Sequence, residues 1–389
     1  YQDPLYTRLA EAAIPLWREL EERAGEAILT LCGNLFFARP GNALLAQSLQ
    51  TMDAVQSSYE RLTSAEVTAR FPVLRLPADA EICLIPQSGF LNATLAVQTH
   101  VAQAQRLGAT VHAGVAVHRL DLRGERPVVE TSAGRYSCTR LVVTPGPWAS
   151  RLFSELGLPM FSQHLRVTRQ QKFYFQPAQP ARFLPASLPV YCDYDTDFYG
   201  FPLHGPGLKV ADDSLGTVTD PTTVDRTLDL AKRDQLGAWL AGLMPNADFT
   251  YSAGSTCMYT LTPDRDFLLG PHPRYANTFI GAGFSGHGFK FSTLVGHLLE
   301  CSAQVSGGYI ADPGFFDVPD LARVGFPFAD VSADGSAVIG KLDGSGGRID
   351  RLTCTAQLLY EIEDPAAYLQ ADVVADFSQV RLEELGPNR

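Results

Sequence analysis

Residues 277–300, NTFIGAGFSGHGFKFSTLVGHLLE, constrain the fold more than any other stretch. A short apolar run at 278–280 meets Gly281, Ala282, Gly283, Phe284, Ser285 and Gly286, a G-x-G-x-x-G, followed by His287, Gly288 and a helix-like segment. Glycines let the chain turn tightly and bring backbone N–H groups against a ligand, and a helix N-terminus favours an electron-rich group. A first-strand dinucleotide fingerprint also needs an acid about 20 residues on. Residues 301–305 hold none, and no βαβ unit follows. With 33 glycines in the chain, the spacing alone is weak evidence. The stretch reads as a second glycine-rich turn, meeting a cofactor from another side.

At 389 residues the chain has room for two or more domains. A net charge of −11 argues against nucleic acid or an anionic membrane as partner. No run of 18 apolar residues is present, so no spanning helix is expected, and no signal peptide is visible. Seven scattered cysteines without C-x-x-C favour a reducing compartment. The chain opens on Tyr1 within a helical pattern, so a start upstream of it is expected.

Leu5, Leu9, Ala12, Ala13, Leu16 and Leu20 keep helical spacing, and Pro15 predicts a kink or restart there. Strands are expected at 28–38, broken at Gly33-Asn34, and at 82–86. A short capped helix is expected from Ser64. Asn92 caps a helix with Val97, Val101, Ala104 and Leu107 inward and Gly108 at its end. Strands follow at 111–117, 128–131 and 141–144. The last runs into Gly146-Pro147-Trp148, either a ligand-bearing strand end or a plain strand-to-helix turn. Residues 163–213 are aromatic and strand-like. Lys209 sits in an apolar strand pattern, where a lysine is either catalytic or exposed on a polar edge. A helix is expected over 223–243. Cys257 by itself reads as a small core residue. In the tail, 355–361 reads as helix and 373–377 as strand.

Taken together, these motifs resemble the monomeric sarcosine oxidase family of flavoproteins over residues 1–296. The resemblance rests on Trp17-Arg18-Glu19-Leu20-Glu21, Gln87-Ser88-Gly89, Gly146-Pro147-Trp148, Tyr199-Gly200-Phe201-Pro202 and Gly207-Leu208-Lys209. Most specific are Cys257-Met258-Tyr259-Thr260 and Gly283-Phe284-Ser285-Gly286-His287-Gly288-Phe289-Lys290. It implies an α/β (α+β) chain: an incomplete FAD-binding, Rossmann-like domain (1–25, 90–160 and 257–298) interleaved with a mixed or antiparallel-sheet substrate domain (26–89 and 161–256). It also implies a cytoplasmic monomer that oxidises the C–N bond of a secondary or N-methyl amino acid with O2, giving imine and hydrogen peroxide.

The roles implied are these. Cys257 carries FAD covalently, and Gly281, Gly283, Gly286, His287 and Gly288 wrap the flavin. Lys209 promotes reaction with dioxygen. Lys290 binds the substrate carboxylate, while Tyr199 and Tyr259 line the substrate pocket. Val117 and Trp148 lie near the nucleotide part. No metal is implied. The family's N-terminal βαβ unit has no counterpart here, and Asp213 replaces a family histidine four residues after the lysine. Residues 298–389 resemble a segment of the acyclic-terpene-utilisation family, through Gly307-Gly308-Tyr309, Ala311-Asp312-Pro313-Gly314 and Leu358-Leu359-Tyr360-Glu361-Ile362, and form a C-terminal α/β fragment. A natural fusion and a mis-joined gene both account for this pairing. Three readings stay open: an oxidase, a remnant without stable flavin, and a terpenoid-catabolism protein acting through its tail.

Overall fold

The computed structural model describes residues 1–155, 162–272, 274–304, 352–357 and 372–376. In chain order its first half contains α1 (Pro4–Ala24), β1 (Leu29–Leu31), β2 (Asn34–Ala38), α2 (Ala43–Ala54), β3 (Glu60–Leu62), α3 (Ser64–Arg70), β4 (Glu81–Ile85), β5 (Gly89–Leu91), α4 (Ala93–Arg106), β6 (Thr110–Val111), β7 (Val117–Asp121), β8 (Val128–Thr131), β9 (Gly134–Ser137), β10 (Arg140–Thr144) and α5 (Ala149–Glu155). There follow β11 (Arg166–Pro177), β12 (Val190–Asp193), β13 (Phe198–His204), β14 (Gly207–Asp212), β15 (Thr217–Val218), α6 (Leu230–Leu243), β16 (Phe249–Leu261), β17 (Leu268–Pro271), β18 (Thr278–Ala282), α7 (Ser292–Gln304), β19 (Leu352–Gln357) and β20 (Asp372–Asp376). The chain divides into two units. The first is Tyr1–Glu11, Ala27–Asn92 and Thr168–Met258; the second is Ala12–Glu26, Ala93–Val167 and Tyr259–Arg389.

The first unit is built on a nine-stranded sheet, with path β15-β11-β14-β13-β12-β2-β4-β3 and β16 also paired to β11. β12 and β2 run parallel, and their other neighbours on the path are antiparallel. Strand alternation sends Phe173, Phe175, Leu208 and Val210 to one face. There they form one core with Leu236, Leu240 and Leu243 of α6, whose spacing makes a single helical stripe. α6 starts later than the expected 223. Asp220 and Asp225 instead accept from the backbone N–H of Thr222 and Thr227, at 2.7 and 2.8 Å. Such side-chain bonds compete with helix, and the true cap is Asp229, which accepts from Ala231 and Lys232. The short helix α3 begins at Ser64 as expected, capped by Thr63, which forms a reciprocal capping box with Glu66.

The second unit carries a six-stranded sheet of order β17-β18-β10-β19-β20-β6 and a smaller β7-β8-β9 sheet. β18, β10 and β19 run parallel. Thus β10 is paired on both edges, on one side by a strand of the tail. Residues 355–357, expected as helix, are the end of that strand. The alternating Leu-Thr-Cys-Thr run suits a strand, and its partner β10 supplies the pairing; 358–361 lie outside the described residues. The 373–377 expectation meets β20. Helix α1 runs through Pro15 without a break. Its stripe of Leu5, Leu9, Ala13 and Trp17 is buried throughout, which outweighs the one backbone bond that proline removes. In α4 the buried residues are Ala96 and Thr99, while Leu107, expected inward, is 49% exposed. No helix among the described residues is long and apolar enough to cross a membrane.

Candidate active site

In the second unit, fully buried β18 delivers the chain into the glycine-rich turn. The turn is bolted down by Ser285, which is wholly buried and holds a left-handed φ of 49°. Its N–H donates to the Thr260 carbonyl at 2.9 Å, and its Oγ accepts from the Thr262 N–H at 3.2 Å. The Oγ also lies 3.1 Å from both Thr262 Oγ1 and the Gly283 carbonyl. These bonds satisfy buried polar groups and offset the strain of that backbone. Gly283 and Gly286 have φ of 63° and 83°. A Cβ on Gly286 would sit 2.5 Å from the Tyr259 ring, so Tyr259 lies directly against the turn.

His287 follows. Its Nε2 is 3.0 Å from the Arg265 carbonyl, so the neutral ring donates there. Burial, aided by the charges of Lys290 and Arg265, pushes its pKa down to about 4. An unfolded chain takes up a proton near pH 6.5 that the folded one refuses until about pH 4, so stability falls as pH falls through this window. The loss from this group is expected to reach about 2 kcal/mol by pH 5. Urea midpoints at pH 7 and pH 5 check it: His287→Gln should narrow the gap between them, and an unchanged gap would remove His287 from the account.

Lys290 is exposed, and its Nζ donates to the His287 carbonyl at 3.3 Å. Its own carbonyl accepts from Trp17 Nε1 at 2.8 Å. Trp17 is 1% exposed and packs edge-on to His100 and beside Phe289. The tryptophan thus fixes the backbone of the residue that carries the exposed cation. Trp17 entered the sequence reading only as part of a motif. Its partner 273 residues away is invisible to any local pattern.

In the first unit, Lys209 and Tyr199 come together. Gly200 pairs with Val210 and Leu203 with Leu208, so Phe201 and Pro202 bulge opposite Lys209. Pro202 cannot donate to the ladder, which suits a bulge, and bulges re-aim side chains beside sites. Here the bulge brings Phe201 and Tyr199 around Lys209, whose Nζ lies 4.8 and 5.8 Å from their ring centroids. Phe90 and His204 pack on the same aromatic group. Gly200 is required on the core side, because a Cβ would sit 2.3 Å from the Tyr191 hydroxyl.

Cys257 and Tyr259 lie two residues apart on β16, which puts them on one face of that strand. Both are half-buried, and the Cys257 thiol is not in a disulfide. Val117 opens β7 and packs against a core containing Leu141 and Val143 of β10. Trp148 sits in the 3-10 turn after β10. The sequence reading missed Lys172, which is 4% exposed and on the same sheet as Lys209. The run Phe173-Tyr174-Phe175 drew attention one residue past it. Among the described residues no cluster of histidine, cysteine or acid residues could hold a metal.

The chain is 32% identical to the monomeric sarcosine oxidase of Streptomyces avermitilis over 332 residues, 83% of this chain and 84% of that one. It is 31% identical to the peroxisomal sarcosine oxidase of Homo sapiens, over 80% and 82% of the two chains. Among solved structures, NikD, described as an unusual amino acid oxidase essential for nikkomycin biosynthesis, matches with a TM-score of 0.64 and 26% identity, covering 79% of this chain and 81% of that one. The L-proline dehydrogenase of P. horikoshii shares the fold, with a TM-score of 0.67 at 18% identity over 77% and 79%. Residues 290–389 match the acyclic terpene utilisation family protein AtuA. Residues 1–301 match the FAD dependent oxidoreductase family, and with the sarcosine oxidase identities this establishes that the chain belongs to that family.

Proposed function

We propose that the protein is an FAD-dependent oxidase of secondary or N-methyl amino acids, producing an imine and hydrogen peroxide from the amine and O2. The observation that carries this reading is Lys209, held by a bulge against Tyr199 and Phe201 on a sheet whose other face is the core.

The residues present fit the flavin end of the cofactor. The turn from Gly281 to Gly288 offers bare backbone. Just beyond it, at the start of α7, Ser292 Oγ and Thr293 Oγ1 are buried and meet no hydrogen-bond partner among the described residues. Buried hydroxyls of this kind call for a partner, and a helix N-terminus favours an electron-rich one. The sequence holds no other G-x-G-x-x-G. The carboxyl ends of β18, β10 and β19 are where open α/β sheets place dinucleotides. A flavin held there would supply the two-electron chemistry, accepting a hydride from the substrate carbon while the amine proton is lost to solvent, and O2 would receive the two electrons with two protons to give hydrogen peroxide.

Cys257 supplies the thiol for a covalent tether. Lys209 puts positive charge where negative charge develops as O2 is reduced. In the second unit Lys290 is assigned the substrate carboxylate and Tyr259 a substrate-facing ring; in the first, Tyr199 is assigned a substrate-facing ring beside Lys209. His287, kept neutral by burial, adds no charge that would compete with Lys290 for the carboxylate. The protein works as a monomer. The experiment is peroxide release from sarcosine and from larger N-methyl amino acids: stoichiometric peroxide supports the reading, and none from any of them sinks it.

A further inference from the structure

The proposed reaction gives no task to the block Trp17-Arg18-Glu19-Leu20-Glu21. Arg18 pairs with Glu21 at 2.6 Å, and Glu19 pairs with Arg23, so these charges serve α1 itself. Trp17 is different. It follows Ala13 by one turn on the buried stripe of the helix and is 1% exposed. An indole carries one donor and no acceptor, and when buried its N–H has to find a partner. Leucine or phenylalanine would fill the same space with no N–H to satisfy. The partner is one backbone atom, the Lys290 carbonyl, at 2.8 Å. The same ring lies 6.0 Å from the ring of Phe289, next to Lys290, and is braced edge-on by His100 of α4 at 5.5 Å.

Lys290 needs such support. It sits in the three-residue 3-10 turn Phe289–Phe291, held by Phe291 N–H to the Gly288 carbonyl at 2.9 Å and by Ser292 N–H to the Phe289 carbonyl. Pieces of 3-10 helix this short have poor hydrogen-bond geometry. The lysine side chain is exposed, with Nζ 5.3 Å from the Phe291 ring centroid, and its four-carbon stem is flexible. An anion can therefore meet the ammonium from solvent, and where it meets it depends on where the Lys290 backbone is held. A rigid helix holds a binding group more precisely than a turn does.

We infer that Trp17 is a positioning residue for substrate binding: its N–H holds the Lys290 carbonyl and so places the Lys290 ammonium for the carboxylate of the amino acid. This rests on the oxidase reading, which assigns that carboxylate to Lys290. Loss of one neutral hydrogen bond corresponds to about 2- to 10-fold in affinity.

The test compares wild type, Trp17→Phe, Lys290→Met and Ala13→Gly on the full chain. Ala13→Gly weakens the same buried helix without touching Lys290. Two readouts are taken: thermal stabilisation by acetate, read against chloride at equal ionic strength, and KM and kcat for sarcosine. Trp17→Phe should weaken acetate about 2- to 10-fold and raise KM by the same factor, with kcat close to wild type. Lys290→Met should weaken acetate further, and Ala13→Gly should leave acetate and KM unchanged. If Trp17→Phe does not fold by circular dichroism, benzothienylalanine placed at Trp17, an isostere with sulfur for the N–H, replaces it. The inference is overturned if wild type does not bind acetate, if Lys290→Met binds it as well as wild type, if Trp17→Phe and Ala13→Gly weaken it alike, or if Trp17→Phe lowers kcat and leaves KM unchanged. Acetate binding that depends on both Trp17 and Lys290, without oxidation of any amine, would leave the inference standing while the oxidase reading falls. Oxidation of sarcosine with KM and acetate affinity unchanged in Trp17→Phe would do the reverse.

Discussion

Lys209→Met is expected to lower oxygen consumption by about 10²–10³-fold, the usual loss when one preorganised charge is removed from a developing anion. Methionine keeps the length of the side chain and its packing on Tyr199 and Phe201, so only the charge is lost. The bulge at Phe201-Pro202 exists independently of the charge, because the proline cannot join the ladder. Fold and thermal stability should therefore change little. An oxygen electrode, with an artificial electron acceptor as control, separates the two half-reactions. Turnover with the artificial acceptor should persist while turnover with O2 collapses. Equal loss with both acceptors would mean that Lys209 acts on the substrate side.

Gly286→Ala is expected to destabilise the second unit by about 2–6 kcal/mol and to weaken flavin retention. Two costs add. A non-glycine residue at φ 83° is strained by about 1–3 kcal/mol. The new methyl would also meet the Tyr259 ring at 2.5 Å, and overpacking of this kind costs about 1–3 kcal/mol. The ring can yield only by leaving the turn, which displaces the aromatic wall assigned to the substrate. Urea denaturation and flavin content per chain measure both effects. Gly296→Ala, where a Cβ would meet nothing within 4 Å, is the control and should be close to neutral. A Gly286→Ala protein as stable as wild type would mean that Tyr259 does not lie against the turn.

Much of this was legible in the residues. The apolar run into Gly281–Gly288 announced a strand, turn and helix, and β18 and α7 supply the two ends. The aromatic strands of 163–213 were visible as alternating patterns. Contacts between distant segments were not: the Trp17–Lys290 bond, the Ser285 lock on Thr260 and Thr262, and the bulge that aims Tyr199 and Phe201 at Lys209. Lys172 was hidden for a different reason. Strand period gives the face a residue occupies only after its neighbour's register is known, and register is a tertiary property. The helix expectation failed at 355–357 in the same way, since β10 decides what those residues become. Family resemblance, rather than periodicity, singled out Cys257.

The central claim is tested most directly by an absorbance spectrum of the purified full chain, before and after anaerobic addition of sarcosine and after acid precipitation. Flavin bands that bleach with the amine and stay with the precipitated protein are the predicted result, and would place a covalent cofactor in working contact with substrate. A colourless protein that stays colourless with added FAD would contradict the account.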